Sequence, residues 1–181
     1  MLKDTPAVSL GWKAQPFSLP DPDGNVHSIN NLQGENGMLV AFICNHCPYV
    51  KAIGHRLAED ARQLQSEGIS VIAINSNDFK NYTADSPPKM KAFAAEYGFS
   101  FPYLVDEDQS VARTYDAVCT PDFFGFNKNG ELQYRGRLDD ARMDNDNDRT
   151  PELLNAMRQT AQSGTGPNDQ QPSMGCSIKW K

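Results

Sequence analysis

No stretch of this sequence approaches the ~20 consecutive apolar residues that a membrane-spanning helix needs. Positive charge is also short: 17 Lys and Arg stand against 23 Asp and Glu, a net charge of −6 over 181 residues. That balance argues against a phosphate-backbone binder and against an anionic membrane surface, so neither nucleic acid nor membrane is an expected partner. The opening residues, Met1-Leu2-Lys3-Asp4-Thr5-Pro6, lack the basic-then-apolar order of a secretory leader, and the expected setting is cytoplasmic and reducing. Cysteine is scarce. Cys44, Cys47, Cys119 and Cys176 are too few and too unevenly spaced for the disulfide framework of a small secreted fold. A chain of this length can bury ~70% of its unfolded surface without such staples. Histidine stops at His55, after His27 and His46, and no internal repeat is present.

What is present alternates between strand and helix signals. Residues 16–19 and 26–29 are short alternating runs joined by Asp21-Pro22-Asp23-Gly24-Asn25, which predicts a hairpin. Residues 38–43 form a continuous apolar run, as a strand buried on both faces would. Pro48 then opens a helix in which Val50, Ile53, Leu57, Ala61 and Leu64 recur three or four apart until Gly68. Residues 69–74 are rich in β-branched side chains and predict a second buried strand. Ser86-Pro87 forms an N-cap with proline at the first helical position, and Met90, Phe93, Ala94 and Tyr97 stripe that helix up to Gly98. A strand over 102–105 and a short helix over 110–115 follow. Residues 123–126 and 132–135 flank the turn Asn127-Lys128-Asn129-Gly130, and Thr150-Pro151 opens a last helix carrying Leu153, Leu154 and Met157. This order predicts an α/β fold, a central mixed β-sheet flanked by helices, with an N-terminal β-hairpin extension. The domain is expected over 1–162. Residues 163–181, rich in Gly, Pro and Gln, read as a tail carrying Cys176 rather than as an element.

Chemistry concentrates in Cys44-Asn45-His46-Cys47-Pro48, where the buried strand hands over to the amphipathic helix. A thiolate is the reactive form of cysteine, and a helix N-terminus offers unpaired amides and the positive end of a dipole. Two intervening residues let the sulfurs close into a small ring, so a disulfide can form and reopen during turnover. The positive form of His46 would favour the thiolate further. Replacing it with Pro or Val is expected to make the couple more reducing.

These residues resemble the thioredoxin superfamily, and more closely the peroxiredoxin-like branch of the alkyl hydroperoxide reductase/thiol-specific antioxidant group. The resemblance runs over about residues 11–140. It rests on Ala14-Gln15-Pro16-Phe17-Ser18-Leu19, the Asp23-Gly24 turn, the strand leading into the Cys44–Cys47 motif, and Cys119-Thr120-Pro121 before the terminal hairpin. It implies a thioredoxin-like fold in which Pro121 is cis and lies against the cysteines, with Asn45, His46, Pro48, Thr120 and Pro121 as site neighbours. It also implies that the backbone beside Pro121 holds an extended substrate segment by strand-like pairing. Two departures matter. Peroxiredoxins match Cys47-Pro48 but carry Thr three residues earlier, where Cys44 stands, and an Arg near the terminal hairpin, where this chain has Thr120-Pro121. Thioredoxins proper carry Trp before the first cysteine and a buried Asp on the preceding strand, where Ile43 and Ala41 stand, which leaves Glu59 or water to move the proton of the second cysteine.

The expected function is that of a thiol–disulfide oxidoreductase acting through Cys44 and Cys47 by a mixed disulfide, without a cofactor. Cys44, taken to face solvent, is the expected nucleophile; the peroxiredoxin-like match of Cys47 argues for the reverse. Expected partners are a disulfide-containing protein or small thiol substrate and a cellular reductant such as thioredoxin or glutathione. One alternative is a thiol peroxidase using Cys47, with antioxidant activity; another is a non-catalytic metal- or partner-binding module. One CxxC gives only half a tetrahedral zinc site, so no metal is expected. Asp144-Asn145-Asp146-Asn147-Asp148 lacks the Gly and Glu of a calcium loop and reads as a solvated acidic loop. Arg135 and Arg137 are expected to pair with Asp139 and Asp140, Cys119 to be a buried hydrophobe, and His55 a surface or packing residue. Finally, Met174-Gly175-Cys176-Ser177-Ile178-Lys179-Trp180 has the apolar anchors to dock the tail, and related peroxiredoxin-like proteins end similarly. Cys176 is therefore a candidate third redox cysteine exchanging with the Cys44–Cys47 pair.

Overall fold

The computed structural model describes residues 1–6, 9–144 and 147–181, so Asn145 and Asp146 of the acidic loop lie outside the described residues. In chain order the elements are β1 (Leu2–Asp4), β2 (Ser18–Pro20), β3 (Val26–Ser28), α1 (Ile29–Leu32), β4 (Gly37–Phe42) and α2 (Pro48–Ser66). They continue with β5 (Ile69–Asn75), a 3-10 turn at Thr83–Asp85, α3 (Pro87–Tyr97), β6 (Tyr103–Val105) and α4 (Ser110–Thr114). The last are β7 (Cys119–Thr120), β8 (Asp122–Phe126), β9 (Leu132–Tyr134), α5 (Glu152–Ser163) and β10 (Met174–Ser177). No helix among the described residues is long and apolar enough to cross a membrane.

The central sheet runs β6-β5-β4-β8-β9. β4 pairs in parallel with β5, and β5 with β6, as the crossover helices α2 and α3 require. β8 and β9 complete it antiparallel. This is the thioredoxin-like α/β layout, with the hairpin β2–β3 as a separate extension. All six residues of β4 are buried because both faces are covered. Successive side chains point to opposite faces. Leu39 and Ala41 face a cluster with Val50, Leu57 and Leu64 of α2, Phe93 of α3 and Leu153 of α5. Met38, Val40 and Phe42 face the other cluster, with Phe17, Leu19, Ile29 and the α4 residues Val111 and Ala112. Gly68 and Gly98 take positive φ of 78° and 70° just beyond α2 and α3, the backbone that lets each helix stop. Ser86 stands at the N-cap of α3, but its hydroxyl makes no capping bond.

Two expectations are corrected. Residues 174–177, expected as docked tail rather than as an element, form a strand, the middle member of a three-stranded sheet β1-β10-β7. Cys176 lies opposite Leu2 on one side and Thr120 on the other. The approach to it is pinned as well: Gln170 Nε2 donates to Gln133 O (2.8 Å), and Ser173 Oγ donates to Pro121 O (2.7 Å). The arginines also choose other partners. Arg135 pairs with Asp122 and Arg137 with Glu152, while Asp139 takes Arg56 and Arg149. Both arginines lie beyond β9, where the chain bends at Gly136 and Leu138, and their partners come from other elements, Asp122 of β8 and Glu152 of α5.

Gly175 makes the docking of β10 sterically feasible. A Cβ there would overlap the Thr120 carbonyl oxygen and touch the Pro121 ring. Gly175→Ala is therefore expected to cost about 1–3 kcal/mol by overpacking. Urea denaturation measures the loss, and faster alkylation of Cys176 shows that β10 is what moved.

Candidate redox site

The central sheet assembles the site at one end of β4. Antiparallel pairing sets Phe42 of β4 opposite Asp122 of β8, so Thr120 and Pro121, just before β8, arrive beside Cys44, just after β4. The Thr120–Pro121 peptide is cis. Cys47 is the N-cap residue of α2 and Pro48 occupies its first turn. The Cys44 sulfur lies 3.2 Å from Thr120 Oγ1, and the Cys47 thiol donates to Thr120 O at 3.2 Å. All four cysteines are free thiols. Both motif cysteines are covered, Cys44 being 1% exposed and Cys47 0%. The expected solvent-facing Cys44 is thus corrected, because Thr120 packs on its sulfur and the residue lies within the buried cluster of the core.

A carboxylate that the motif does not announce organises the loop between the sulfurs. Asp85, in the 3-10 turn, is almost fully buried. Its Oδ1 accepts from the Asn45 amide (2.7 Å) and Asn75 Nδ2 (3.2 Å); its Oδ2 accepts from His46 Nδ1 (2.6 Å) and Asn77 Nδ2 (3.0 Å). Burial alone would push Asp85 up, but His46, Asn77 and the Asn45 amide outweigh it and hold the carboxyl below its usual range. Tyr103 OH completes the ring by donating to Asn45 Oδ1 (2.9 Å), and the His46 ring stacks on Tyr82 at an interplanar angle of 9°. Cys44, His46 and Asp85 each bring one ligand atom within 4.8 Å of the others. A soft divalent ion could use them only by displacing these hydrogen bonds, since both Asp85 oxygens already accept two. Asp85→Asn would turn an amide donor onto this set of donors. It is expected to lower stability by about 2–3 kcal/mol, read by thermal or urea unfolding.

The same neighbours divide the two sulfurs. The Cys44 thiol, the Cys176 thiol and amide, and the Val50 amide all favour charge on Cys47, and together they outweigh its burial and hold it well below an ordinary thiol. Cys44 is pushed far up by its shared proton with Cys47, by burial and by the negative charge of Asp85. Since Cys44 is the largest stabiliser of the Cys47 thiolate, Cys44→Ala is expected to raise the Cys47 pKa. Its alkylation rate, flat toward acid pH in the unaltered protein, then falls as pH drops below neutrality; iodoacetamide labelling across pH measures this.

The model of the AhpC/TSA family matches residues 10–135, a span that holds both motif cysteines and Thr120-Pro121. The chain belongs to the AhpC/TSA family. It is similar to the thiol-disulfide oxidoreductase ResA of Bacillus subtilis (strain 168), 26% identical over 126 residues, 70% of this chain and 66% of that one. It is likewise similar to peroxiredoxin Bcp of Escherichia coli (strain K12), 26% identical over 118 residues, 65% and 70% of the two chains. The match thus spans about two thirds of the length of these AhpC/TSA relatives. Two crystal structures align along all or nearly all of the chain, each with a TM-score of 0.93. An uncharacterized conserved protein from Geobacillus kaustophilus does so at 43% identity over 100% of this chain and 97% of that one. A hypothetical protein from Sinorhizobium meliloti 1021 does so at 39% over 98% of each.

Of the residues singled out in the sequence, this AhpC/TSA chain brings together Cys44, Asn45, His46, Cys47, Pro48, Thr120, Pro121 and Cys176. Glu59 is not among them: it is exposed along α2, and the carboxylate at the sulfurs is Asp85. His55 is exposed and packs its ring on Tyr97 (4.8 Å between centroids). Cys119 is fully buried, and burial pushes its thiol up.

Proposed function

We propose that this protein is a thiol–disulfide oxidoreductase in which Cys47 attacks and Cys44 resolves. The observation that carries the proposal is the asymmetry of the pair: the groups around Cys47 favour its thiolate, while the Asp85–His46 pair stands beside the Cys44 sulfur. The Cys47 thiolate attacks one sulfur of a substrate disulfide; that bond breaks and the first substrate thiolate leaves. Cys44 then loses its proton to the His46–Asp85 pair and attacks Cys47. The second substrate thiol is released and a Cys44–Cys47 disulfide remains. This reverses the order expected from the sequence. A dithiol donor such as thioredoxin, or two molecules of a small thiol such as glutathione, returns the two electrons. The setting we propose is the cytoplasm, where such donors are held reduced.

Thiol peroxidase chemistry is the second reading, favoured by the depressed Cys47 thiolate at a Cys-Pro helix start. A peroxide needs cationic or hydroxyl donors on its oxygens as the O–O bond breaks. The groups acting on Cys47 are thiols and amides, and Arg135 is engaged by Asp122. Reduced protein mixed in turn with a model disulfide and with hydrogen peroxide separates the two. Disulfide should be consumed about 100-fold faster than peroxide at equal concentration. The opposite ranking overturns the proposal in favour of a peroxidase.

A further inference from the structure

The edge that the family resemblance assigns to substrate is already occupied. An extended substrate beside Pro121 would pair with Thr120, and here β10 does so, with Cys176 opposite Thr120. The chain's own strand therefore lies where a substrate strand would lie, and a cysteine stands opposite Thr120, the residue that touches both redox sulfurs. Thr120 does so through its hydroxyl to Cys44 and its carbonyl to Cys47. Cys176 packs against the buried cluster that holds Cys44 and Cys47, and its thiol and backbone amide favour charge on Cys47. Cys176 is also only partly buried, whereas Cys44 and Cys47 are enclosed. The strand is fastened on both sides of this cysteine: Gly175 fits against Thr120, and beyond it the Lys179 amide donates to Asn77 Oδ1 (2.9 Å), on the side chain that binds Asp85.

We propose that Cys176 is a third redox cysteine, which forms a disulfide with Cys47 and passes the oxidised bond to the reductant. This deepens the proposed exchange function and rests on it. Starting from the Cys44–Cys47 disulfide, Cys176 loses its proton to solvent and its thiolate attacks the Cys47 sulfur. The Cys47–Cys176 bond forms, the Cys44–Cys47 bond breaks, and Cys44 leaves, recovering a proton from the His46–Asp85 pair. No electrons enter or leave in this step. An external dithiol then attacks the accessible Cys176 sulfur and expels Cys47, the better leaving group because its thiolate is the more stabilised. The donor's second thiol displaces Cys176 and departs as a disulfide, having supplied both electrons. While Cys47 is held in a disulfide it carries no charge to suppress ionisation of Cys176, so the attacking thiolate forms more readily in the state that needs it.

Cys44→Ala and Cys44→Ala/Cys176→Ala, each mixed with one equivalent of dithiobis(nitrobenzoate), test the relay. The single variant should release two chromophores per chain and end without an adduct, lighter by two hydrogens, with peptides 47 and 176 crosslinked. The double variant should release one and keep the adduct on Cys47. A single variant that keeps the adduct as the double does overturns the proposal. The unaltered protein gives an independent readout: partial oxidation, acid alkylation and peptide mapping should show a Cys47–Cys176 link beside the Cys44–Cys47 one. Its absence at every oxidant ratio also overturns the relay, whatever the variants do. If the unaltered protein fails to react with the disulfide, the exchange function itself falls. Diamide, which needs no substrate site, then decides the 47–176 bond separately.

Discussion

Cys47→Ser is expected to remove disulfide exchange almost completely, by about 10⁴-fold or more, as loss of an attacking nucleophile does. Cys44→Ala should leave the first attack in place. The difference follows from which sulfur carries charge. The thiols of Cys44 and Cys176 and two backbone amides favour a thiolate on Cys47, and a serine hydroxyl in the same place keeps its proton at any working pH. Serine is also a good N-cap for α2, so the fold should hold and the loss should be chemical. Cys44 faces the opposite electrostatics, with Asp85 beside it, and cannot substitute as the attacking group. A single-turnover measurement of thiol released from a model disulfide, with intact-protein mass, checks both variants. If Cys44→Ala were the inactive one, Cys44 would be the nucleophile.

The largest stability loss is expected at Arg135. Its Nε donates to Asp122 Oδ1 (3.2 Å) and its Nη2 to Asp122 Oδ2 (2.9 Å) and Asp116 O (2.8 Å), with the guanidinium 4.4 Å above the Phe124 ring. Neither side chain is exposed at all. Arg135→Ala leaves Asp122 buried without a counter-ion, which typically costs about 3–5 kcal/mol. Burial already pushes Asp122 up, with Arg135 opposing it. A carboxyl with a raised pKa binds its proton more tightly folded than unfolded, so it contributes stability at low pH that is lost as pH rises through the folded value. Without Arg135 that rise is greater. The deficit should be widest at neutral pH and narrow in acid, which urea titrations at the two conditions would show. Arg135→Leu/Asp122→Leu should recover much of it. Arg135 Nη1 has no hydrogen-bond partner, so the pair is imperfectly satisfied and an apolar replacement has less to match. A single variant as stable as the unaltered protein would mean that water reaches the pair.

The parts of this molecule legible in its sequence are those encoded over a few consecutive turns or strand repeats. β4 appears as an apolar run, α2 as a stripe from Val50 to Leu64 ended by Gly68, and the motif at their junction as a redox signal. β1, β7 and β10 are too short to display a period, and they become strands only by pairing, β10 with β1 on one side and with β7 on the other. Asp85 left no local trace either. Its role arises where the loops after β4 and β5 converge with its own 3-10 turn, and only there do Asn45, His46, Asn75 and Asn77 face it. The burial of Cys44 has no local signal for the same reason: Thr120, which packs on its sulfur, is 76 residues away in sequence. The ion pairs of Arg135 and Arg137 are likewise set by tertiary packing, since their partners Asp122 and Glu152 come from β8 and α5 rather than from close neighbours in sequence.

The sheet β1-β10-β7 also bears on the order of folding. Ser173 donates its amide to Thr5 Oγ1 across 168 residues, and the Ser177 amide reaches Met1 O beside it. Contacts so distant along the chain carry the greatest loop-closure entropy and are rewarded only after nearer elements have joined. The central sheet can therefore consolidate first, with the two motif thiols in place and no strand across them. A chain that folds in this order would keep its redox sulfurs open to oxidants and folding partners until β10 pairs with β1 and β7.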